Sequence, residues 1–114
     1  MLTLPLLSCS RSKGEADVHV FYYTYSDTYI SSVRTSLDKK LDEAGISYQD
    51  YDGAGNQTTQ TEQIQTAITK GAKVIAVNIV NTGSDDAAKA VVNLARNANI
   101  PVIILFFISF SPKR

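Results

Sequence analysis

The sequence predicts an α/β fold in which a doubly wound, parallel four-stranded sheet, ordered 2-1-3-4, carries helices on both faces. Apolar runs rich in β-branched and aromatic residues alternate with helix-like stripes whose apolar residues recur every three or four positions. The apolar runs begin roughly 28 residues apart, as right-handed βαβ units require. With 114 residues, 44% of them hydrophobic, the chain suits a single domain with a real core.

The first βα unit begins with a strand over residues 18–24, whose near-continuous apolar character is typical of a strand buried on both faces. A helix follows, because apolar residues recur at helical spacing and Gly45 ends the pattern as a stop signal. This apolar stripe consists of Ile30, Val33, Leu37, Leu41 and Ala44. Residues 23–29 are therefore placed between the carboxyl end of the first strand and the first helix.

The second unit has the weakest strand signal, an irregular alternation over residues 46–51 that indicates a position near the edge of the sheet. A polar loop with two glycines leads to Thr59-Gln60-Thr61-Glu62, a capping box that predicts the start of the second helix. Gly71 is the expected end of that helix.

The third strand is the clearest and is predicted over residues 74–80, and the fourth is predicted over residues 102–108. Between them Ser84 is expected to cap a third helix, with Asp85 and Asp86 at the positive end of its dipole. The four strands and three helices complete the predicted sheet.

Composition and charge exclude several classes of function. The 11 Lys and Arg residues balance the 11 Asp and Glu residues, so the chain lacks the positive charge that binds nucleic acid or anionic lipid. One Cys and one His are too few for a zinc site or a Cys–His catalytic pair. The histidine, His19, lies in the first strand, where we expect a hydrogen-bonded core or surface residue. We therefore expect no enzymatic activity, no metal and no cofactor.

Residues 23–29, which read Tyr-Thr-Tyr-Ser-Asp-Thr-Tyr, interleave aromatic rings with a carboxylate; we call them the aromatic–acid segment. Aromatic rings cover the apolar C–H faces of a pyranose, and an ionised Asp accepts strong hydrogen bonds from its hydroxyls. Open α/β sheets bind ligands beyond the carboxyl ends of their strands. The segment therefore predicts a sugar site, and the plainer alternative is a tyrosine-rich strand end with Asp27 as a helix cap.

Two other loops at the same sheet edge give weaker signals. Gly53-Ala54-Gly55 precedes a helix, but Thr58 stands where a dinucleotide-binding fingerprint has its third glycine, and the loop follows the second strand instead of the first. We interpret this loop as a flexible turn. Asn78 and Asn81 bracket the end of the third strand, where their amides either face a ligand or satisfy a loop backbone; the backbone role is preferred.

The amino-terminal stretch carries a candidate lipidation site. Leu6-Leu7-Ser8-Cys9 looks like a bacterial lipobox, in which Cys9 is acylated, although the apolar run before it is shorter than a full signal peptide and lacks its basic region. The polar stretch after Cys9 would serve as a tether. Residues 1–17 are therefore expected to be a signal remnant and tether, with an inert terminal cysteine as the alternative.

With strand, aromatic–acid segment and helix in this order, the chain resembles the N-terminal lobe of bacterial periplasmic sugar-binding proteins of the galactose/glucose type, the receptors of ABC importers. The resemblance runs from about residue 18 to residue 105. Its most specific stretches are residues 23–29, 56–64, 70–78 and 99–102.

The resemblance implies a type 1 periplasmic binding protein fold, a monosaccharide ligand and an ABC permease as the membrane partner. Carried over from the family, Tyr23 lies near the sugar, Asp27 bonds its hydroxyls, and Tyr29 stacks on the ring where the family usually has Phe. It also implies a place in the cell envelope, either periplasmic or anchored by lipid on the outer face of the cytoplasmic membrane.

The chain departs from the family's pattern within the fourth strand. There the family has an Asn, a basic residue, Glu and Pro, of which the first two bind sugar, whereas this chain has Phe106 and Phe107. We therefore expect a partial N-terminal lobe over residues 18–108 and an aberrant tail over residues 109–114, from a truncated or frame-shifted reading frame. Such a fragment is expected to bind sugar very weakly or not at all.

Two alternatives come from other classes of protein. The effector-binding domain of a sugar-responsive transcriptional repressor shares this fold, but such repressors carry a helix-turn-helix where this chain has Cys9 and a polar stretch. A small flavodoxin-like or receiver-like domain would need a phosphate loop or an acidic pocket at several strand ends, and neither is evident in the sequence.

Overall fold

The computed structural model of the chain describes residues 16–80 and 85–105. Within these ranges strands and helices alternate strictly. They are β1 (Val18–Tyr22), α1 (Thr28–Glu43), β2 (Tyr48–Asp52), α2 (Gln57–Lys70), β3 (Val74–Val77), α3 (Asp85–Asn97) and β4 (Val102–Ile104). The strands form one parallel sheet in the order β2-β1-β3-β4, which confirms the predicted doubly wound fold.

The two faces of the sheet carry separate cores, because successive side chains of a strand point to opposite faces. On one face Phe21 of β1 packs with the buried residues of α2 and α3, which are Ile64, Ala67, Val91 and Ala95. On the other face Val20 and Tyr22 pack against Ile30 of α1. Two helices therefore cover one face and a single helix covers the other.

The histidine in β1 belongs to a stack of rings on the α2 and α3 face. Its Nδ1 lies 2.8 Å from the Tyr51 hydroxyl and its Nε2 lies 3.1 Å from the carbonyl oxygen of Ala16. Phe21 stacks on Tyr51 with ring centroids 4.5 Å apart. His19 is thus a core residue with hydrogen-bond partners, as expected from the sequence.

The predicted strands are placed correctly, but their bounds are wrong by one to three residues. β1 ends at Tyr22 and not at residue 24, because the backbone N–H of Tyr23 donates to the Oδ1 atom of Asn78 at 3.2 Å and leaves the ladder. β3 ends at Val77 and not at residue 80, since the Asn78 carbonyl accepts from the Gln60 side chain. β2 lies at one edge, as predicted, but is shifted to Tyr48–Asp52. β4 is assigned over Val102–Ile104, and its predicted continuation past residue 105 lies outside the described residues.

The second helix begins earlier than the capping box predicts. Asn56 is the N-cap, and its side chain accepts a hydrogen bond from the backbone N–H of Thr59 at 3.1 Å. Thr59 therefore lies inside the first turn and is not the cap. The predicted stop is confirmed: Gly71 caps α2 with φ of 98°, a left-handed conformation that glycine adopts at little cost. Ser84, the predicted cap of α3, lies outside the described residues.

Candidate functional site

The aromatic–acid segment lies at the carboxyl edge of the sheet, between the end of β1 and the first turn of α1. The loop after β2 is bonded to it and to the end of β1, because the N–H of Gly53 donates to the Tyr22 carbonyl and the N–H of Gly55 to the Tyr23 carbonyl, both at 2.8 Å. The segment after β3 is joined to it through Asn78. Elements from three neighbouring strands therefore converge on residues 23–29.

Asp27 has two roles in this segment. It is the N-cap of α1, and its Oδ1 accepts a hydrogen bond from the backbone N–H of Ile30 at 3.1 Å. Its Oδ2 accepts a hydrogen bond from the Tyr23 hydroxyl at 2.5 Å. Since a carboxylate offers about four acceptor sites, its two oxygens can still accept further hydrogen bonds. The helix-cap alternative is thus correct for one oxygen, and the other oxygen pairs with a tyrosine.

The protonation states of the pair follow from this geometry. The Tyr23 hydroxyl, and next the Ile30 N–H, lower the pKa of Asp27 below its usual value, because both stabilise the ionised carboxylate. The same hydrogen bond raises the pKa of Tyr23. At neutral pH the site therefore presents an anionic acceptor beside a neutral phenol.

The structure places the three predicted site residues at one end of α1. Tyr23 and Asp27 are joined directly by a hydrogen bond. Tyr29 is the second residue of α1, two positions after Asp27, and half of its side-chain surface (50%) is exposed. A half-exposed aromatic ring beside an ionised carboxylate suits a ligand that has both apolar faces and hydroxyl groups.

Two polar residues that support the aromatic–acid segment come from the neighbouring strands. Asn78 accepts from the backbone N–H of Tyr23, so the backbone role preferred for it in the sequence is the one observed. Asp52 was missed by sequence reasoning. Its Oδ1 accepts from the N–H groups of Tyr25 at 3.1 Å and Ala54 at 2.8 Å. An Asp that precedes Gly at the end of a strand is a signal for such a side-chain turn and could have identified it.

Gly53 is the point of closest approach between the loops, and we expect its substitution by alanine to destabilise the fold. An added Cβ would lie 3.0 Å from the Tyr22 carbonyl oxygen and 3.1 Å from that of Tyr23, and backbone atoms have little freedom to move away. We expect a loss of about 1 kcal/mol, at the low end of the cost of overpacking, in chemical denaturation.

Gly45→Ala is the control for the Gly53 variant, because the Cβ there meets nothing within 4 Å, although φ of 72° adds strain of its own. We expect Gly53→Ala to shift the amide signals of Tyr23 and Tyr25 and Gly45→Ala to leave them in place. Unchanged signals in a Gly53→Ala variant of normal stability would show that the close approach does not matter.

Within residues 16–80 and 85–105 no group of three or more His, Cys, Asp or Glu side chains could hold a metal ion. No helix in the same ranges is long and apolar enough to span a membrane. Cys9, Asn81 and residues 106–114 lie outside the described part of the chain, so the structure does not test what the sequence predicts for them.

Comparison with known proteins identifies the family. The sequence profile of the periplasmic binding protein domain family matches residues 18–112, and the chain belongs to that family. Among curated proteins it is similar to the D-galactose/methyl-galactoside binding periplasmic protein MglB of Haemophilus influenzae, with 31% identity over 87 residues. That match covers 75% of this chain and 25% of the relative, so the chain spans about a quarter of the relative's length.

Solved structures show the same fold. An ABC transporter solute binding protein from Mycobacterium smegmatis with bound glycerol superposes with a TM-score of 0.70 at 20% identity, covering 80% of this chain and 31% of that one. The Caulobacter myo-inositol binding protein bound to myo-inositol gives 0.65 at 23% identity, with coverages of 80% and 30%. The described residues therefore correspond to part of one lobe of such a protein. These comparisons give the repressor alternative no support over a solute-binding protein.

Proposed function

We propose that this chain is the sugar-contacting part of a solute-binding protein that serves an ABC importer, with a monosaccharide of the galactose or glucose type as its ligand. The observation that carries the proposal is the Tyr23–Asp27 pair at the carboxyl edge of β1, in a chain of the periplasmic binding protein domain family. The galactose-binding relative from Haemophilus influenzae supports this choice of ligand class.

Each proposed contact has a chemical reason. Asp27 is ionised and can accept charge-assisted hydrogen bonds from sugar hydroxyls. The oxygen of Tyr23, whose proton is donated to Asp27, can accept one more hydrogen bond. The half-exposed ring of Tyr29 can stack on the C–H face of a pyranose. Binding of this kind requires no covalent chemistry and no cofactor.

The relatives suggest where the chain acts and with what partner. The Haemophilus influenzae relative is periplasmic, and the Mycobacterium smegmatis structure is an ABC transporter component. On that basis we place this chain in the cell envelope, either in the periplasm or anchored by a lipid at Cys9, where it would deliver sugar to a membrane permease. Residues 1–17 would then be the signal remnant and the tether, and residues 18–108 the partial lobe.

Sugar binding by this chain alone is expected to be weak. Receptors that close on a ligand desolvate it on both sides, whereas this chain supplies a single wall. Each hydrogen bond formed in the presence of water contributes only about 0.5–1.5 kcal/mol, and association costs at least about 4 kcal/mol. We therefore expect dissociation constants in the millimolar range or above.

The test is a titration of the ¹⁵N-labelled chain with galactose and with glucose, followed by two-dimensional NMR. We expect progressive shifts of the amide signals of Tyr23, Asp27 and Tyr29, and no such shifts with mannitol, an open-chain polyol without a pyranose face. Tyr29→Ala should reduce the shifts at least several-fold, while Tyr29→Phe, which keeps the stacking ring, should retain them. Equal shifts with mannitol, or shifts confined to other residues, would contradict the proposed site. Micromolar affinity of a monomer would contradict the expected weakness.

A further inference from the structure

The aromatic–acid segment is held in place by side chains that do not belong to it. Its residues Tyr23 and Tyr25 follow the end of β1, where the ladder can no longer provide acceptors for their backbone N–H groups. Both N–H groups instead donate to side-chain oxygens, that of Asn78 for Tyr23 and that of Asp52 for Tyr25. Asp52 is the last residue of β2 and Asn78 directly follows β3, the two strands on either side of β1.

Asn78 is itself rigidly placed. It is only 6% exposed, and its backbone N–H donates to the Phe21 carbonyl at 2.7 Å. Its own carbonyl accepts from the Nε2 atom of Gln60 at 2.8 Å. Because main chain and side chain are both hydrogen-bonded, the amide oxygen that receives the Tyr23 N–H has little freedom to move.

Gln60 connects this arrangement to α2. It is completely buried (0% exposed), and its Oε1 accepts from the backbone N–H of Val80 at 3.2 Å and from the Gln57 side chain at the same distance. Removing a buried amide with this many partners would destabilise the whole fold. A Gln60 variant could therefore not separate an effect on the position of Asn78 from an effect on folding.

Asp52 fixes the other side of the aromatic–acid segment. Its Oδ1 bridges Tyr25 of the segment and Ala54 of the loop after β2, and its carbonyl accepts from the Gln63 side chain at 2.9 Å. The bridge holds two loops at a fixed separation. Removing the side chain would leave the Tyr25 N–H without this acceptor.

We propose that Asn78 and Asp52 are positioning residues: by holding the backbone of the aromatic–acid segment they set the distance between the Tyr23 hydroxyl and the Asp27 carboxylate. The importance of this positioning for sugar binding rests on the proposed function. The effect of Asn78 and Asp52 on the Tyr23–Asp27 distance does not, because it can be measured without a ligand. Neither residue contacts the sugar in this proposal.

The test is the titration of the Asp27 carboxyl group, followed by ¹³C NMR in the folded chain. The Tyr23 hydroxyl is the main cause of the low pKa of Asp27, so that pKa reports whether the two groups remain paired. We compare wild type with Asp52→Ala, Asp52→Asn and Asn78→Ala. Val91→Ala serves as a control, because it weakens the core on the α2 and α3 face without changing any residue of the site.

Asp52→Ala and Asp52→Asn both remove a negative charge, but only asparagine keeps the oxygen that accepts the Tyr25 N–H. We expect the pKa of Asp27 to be higher in Asp52→Ala than in Asp52→Asn, and to rise toward its ordinary value in Asn78→Ala. Val91→Ala should leave it unchanged. Circular dichroism identifies any variant that does not fold. If Asn78→Ala does not fold, the comparison of Asp52→Ala with Asp52→Asn tests the proposal.

Equal pKa values in Asp52→Ala and Asp52→Asn, together with an unchanged value in any folded Asn78→Ala variant, would overturn the positioning role. A sugar titration of the same samples is read separately. If the pKa shifts as expected but no sugar perturbs the aromatic–acid segment of the wild type, the positioning role stands and the proposed function fails.

Discussion

Replacing Asp27 with alanine is expected to lower the midpoint of thermal unfolding by roughly 5 °C and to abolish sugar-dependent NMR shifts in the aromatic–acid segment. Two causes act together. Alanine removes the cap of α1, and it leaves the Tyr23 hydroxyl without its carboxylate partner. Calorimetry measures the first effect and the sugar titration the second.

Asp27→Asn is the matched control for the alanine variant. Asparagine caps a helix about as well as aspartate and can still accept from the Tyr23 hydroxyl, but it carries no charge. We expect this variant to unfold at nearly the wild-type temperature while its response to sugar is weakened, because neutral acceptors form weaker hydrogen bonds than carboxylates. Loss of stability in Asp27→Asn equal to that in Asp27→Ala would show that charge, and not capping, stabilises α1.

The stabilisation by Asp27 is also expected to depend on pH. The folded-state pKa is lowered, so the contribution is complete above the ordinary pKa of 3.8 and is lost as the pH falls through the folded-state pKa. The difference in unfolding temperature between wild type and Asp27→Ala should therefore shrink at the acid end of the range.

Asp50→Asn is expected to have the opposite effect and to stabilise the protein above neutral pH. Asp50 lies on β2, half-buried under α1, and burial together with a hydrogen bond and repulsion from Asp38 raises its pKa to about 7, against the opposing attraction of Arg34. The Tyr22 hydroxyl lies in the same cluster and has no hydrogen-bond partner there. Ionised Asp50 is therefore poorly accommodated in the fold.

The sign of the pH dependence follows from the direction of that shift. Between pH 3.8 and about 7 the folded chain holds a proton at Asp50 that the unfolded chain has released, so stability falls as the pH rises through this window. The full shift corresponds to about 4 kcal/mol, which we reduce to about 2 kcal/mol because the group is half-exposed. Asparagine cannot ionise, so it should remove this loss.

Urea unfolding of wild type and Asp50→Asn at pH 5, 6, 7 and 8 measures the effect. We expect the curves to converge toward acid pH and the variant to be the more stable one at pH 8. Asp42→Asn, which removes one negative charge at an exposed position of α1 four residues after Asp38, is measured alongside as the control for loss of charge alone. A variant that is less stable than wild type at pH 8 would show that Asp50 serves the fold as a carboxylate.

The sequence predicted the sheet well because the fold is encoded in local apolar periodicity, which is independent of how loops pack. Strand ends were less accurate, since β1 stops where the Tyr23 N–H donates to the Asn78 side chain and β3 stops where the Asn78 carbonyl accepts from the Gln60 side chain. Gln60 in particular looked like part of a capping box, but it is buried and its side chain donates to the carbonyl of Asn78, 18 residues away in the sequence. No local pattern reveals that.

The same limit applies to the site. Tyr23 and Asp27 were predicted as neighbours in a ligand-binding segment, but their mutual hydrogen bond depends on the turn between them. Asp50 drew no attention because a polar residue in an edge strand usually faces water. Its unfavourable environment is created first by burial and next by Asp38 of α1, and the attraction of Arg34 on the same helix offsets only part of this.

The strand order β2-β1-β3-β4 means that the chain reverses its direction of winding after β2, and α1 and α2 consequently leave the sheet on opposite faces. The loops at the carboxyl edge diverge at this reversal, while both cores lie below it. Tyr23 and Tyr25 of the aromatic–acid segment pack against the core on the α1 face, whereas the half-exposed Tyr29 belongs to neither core. Substitutions at exposed positions such as Tyr29 can therefore change ligand preference between related proteins at little risk to folding, so their specificities can diverge faster than their architecture.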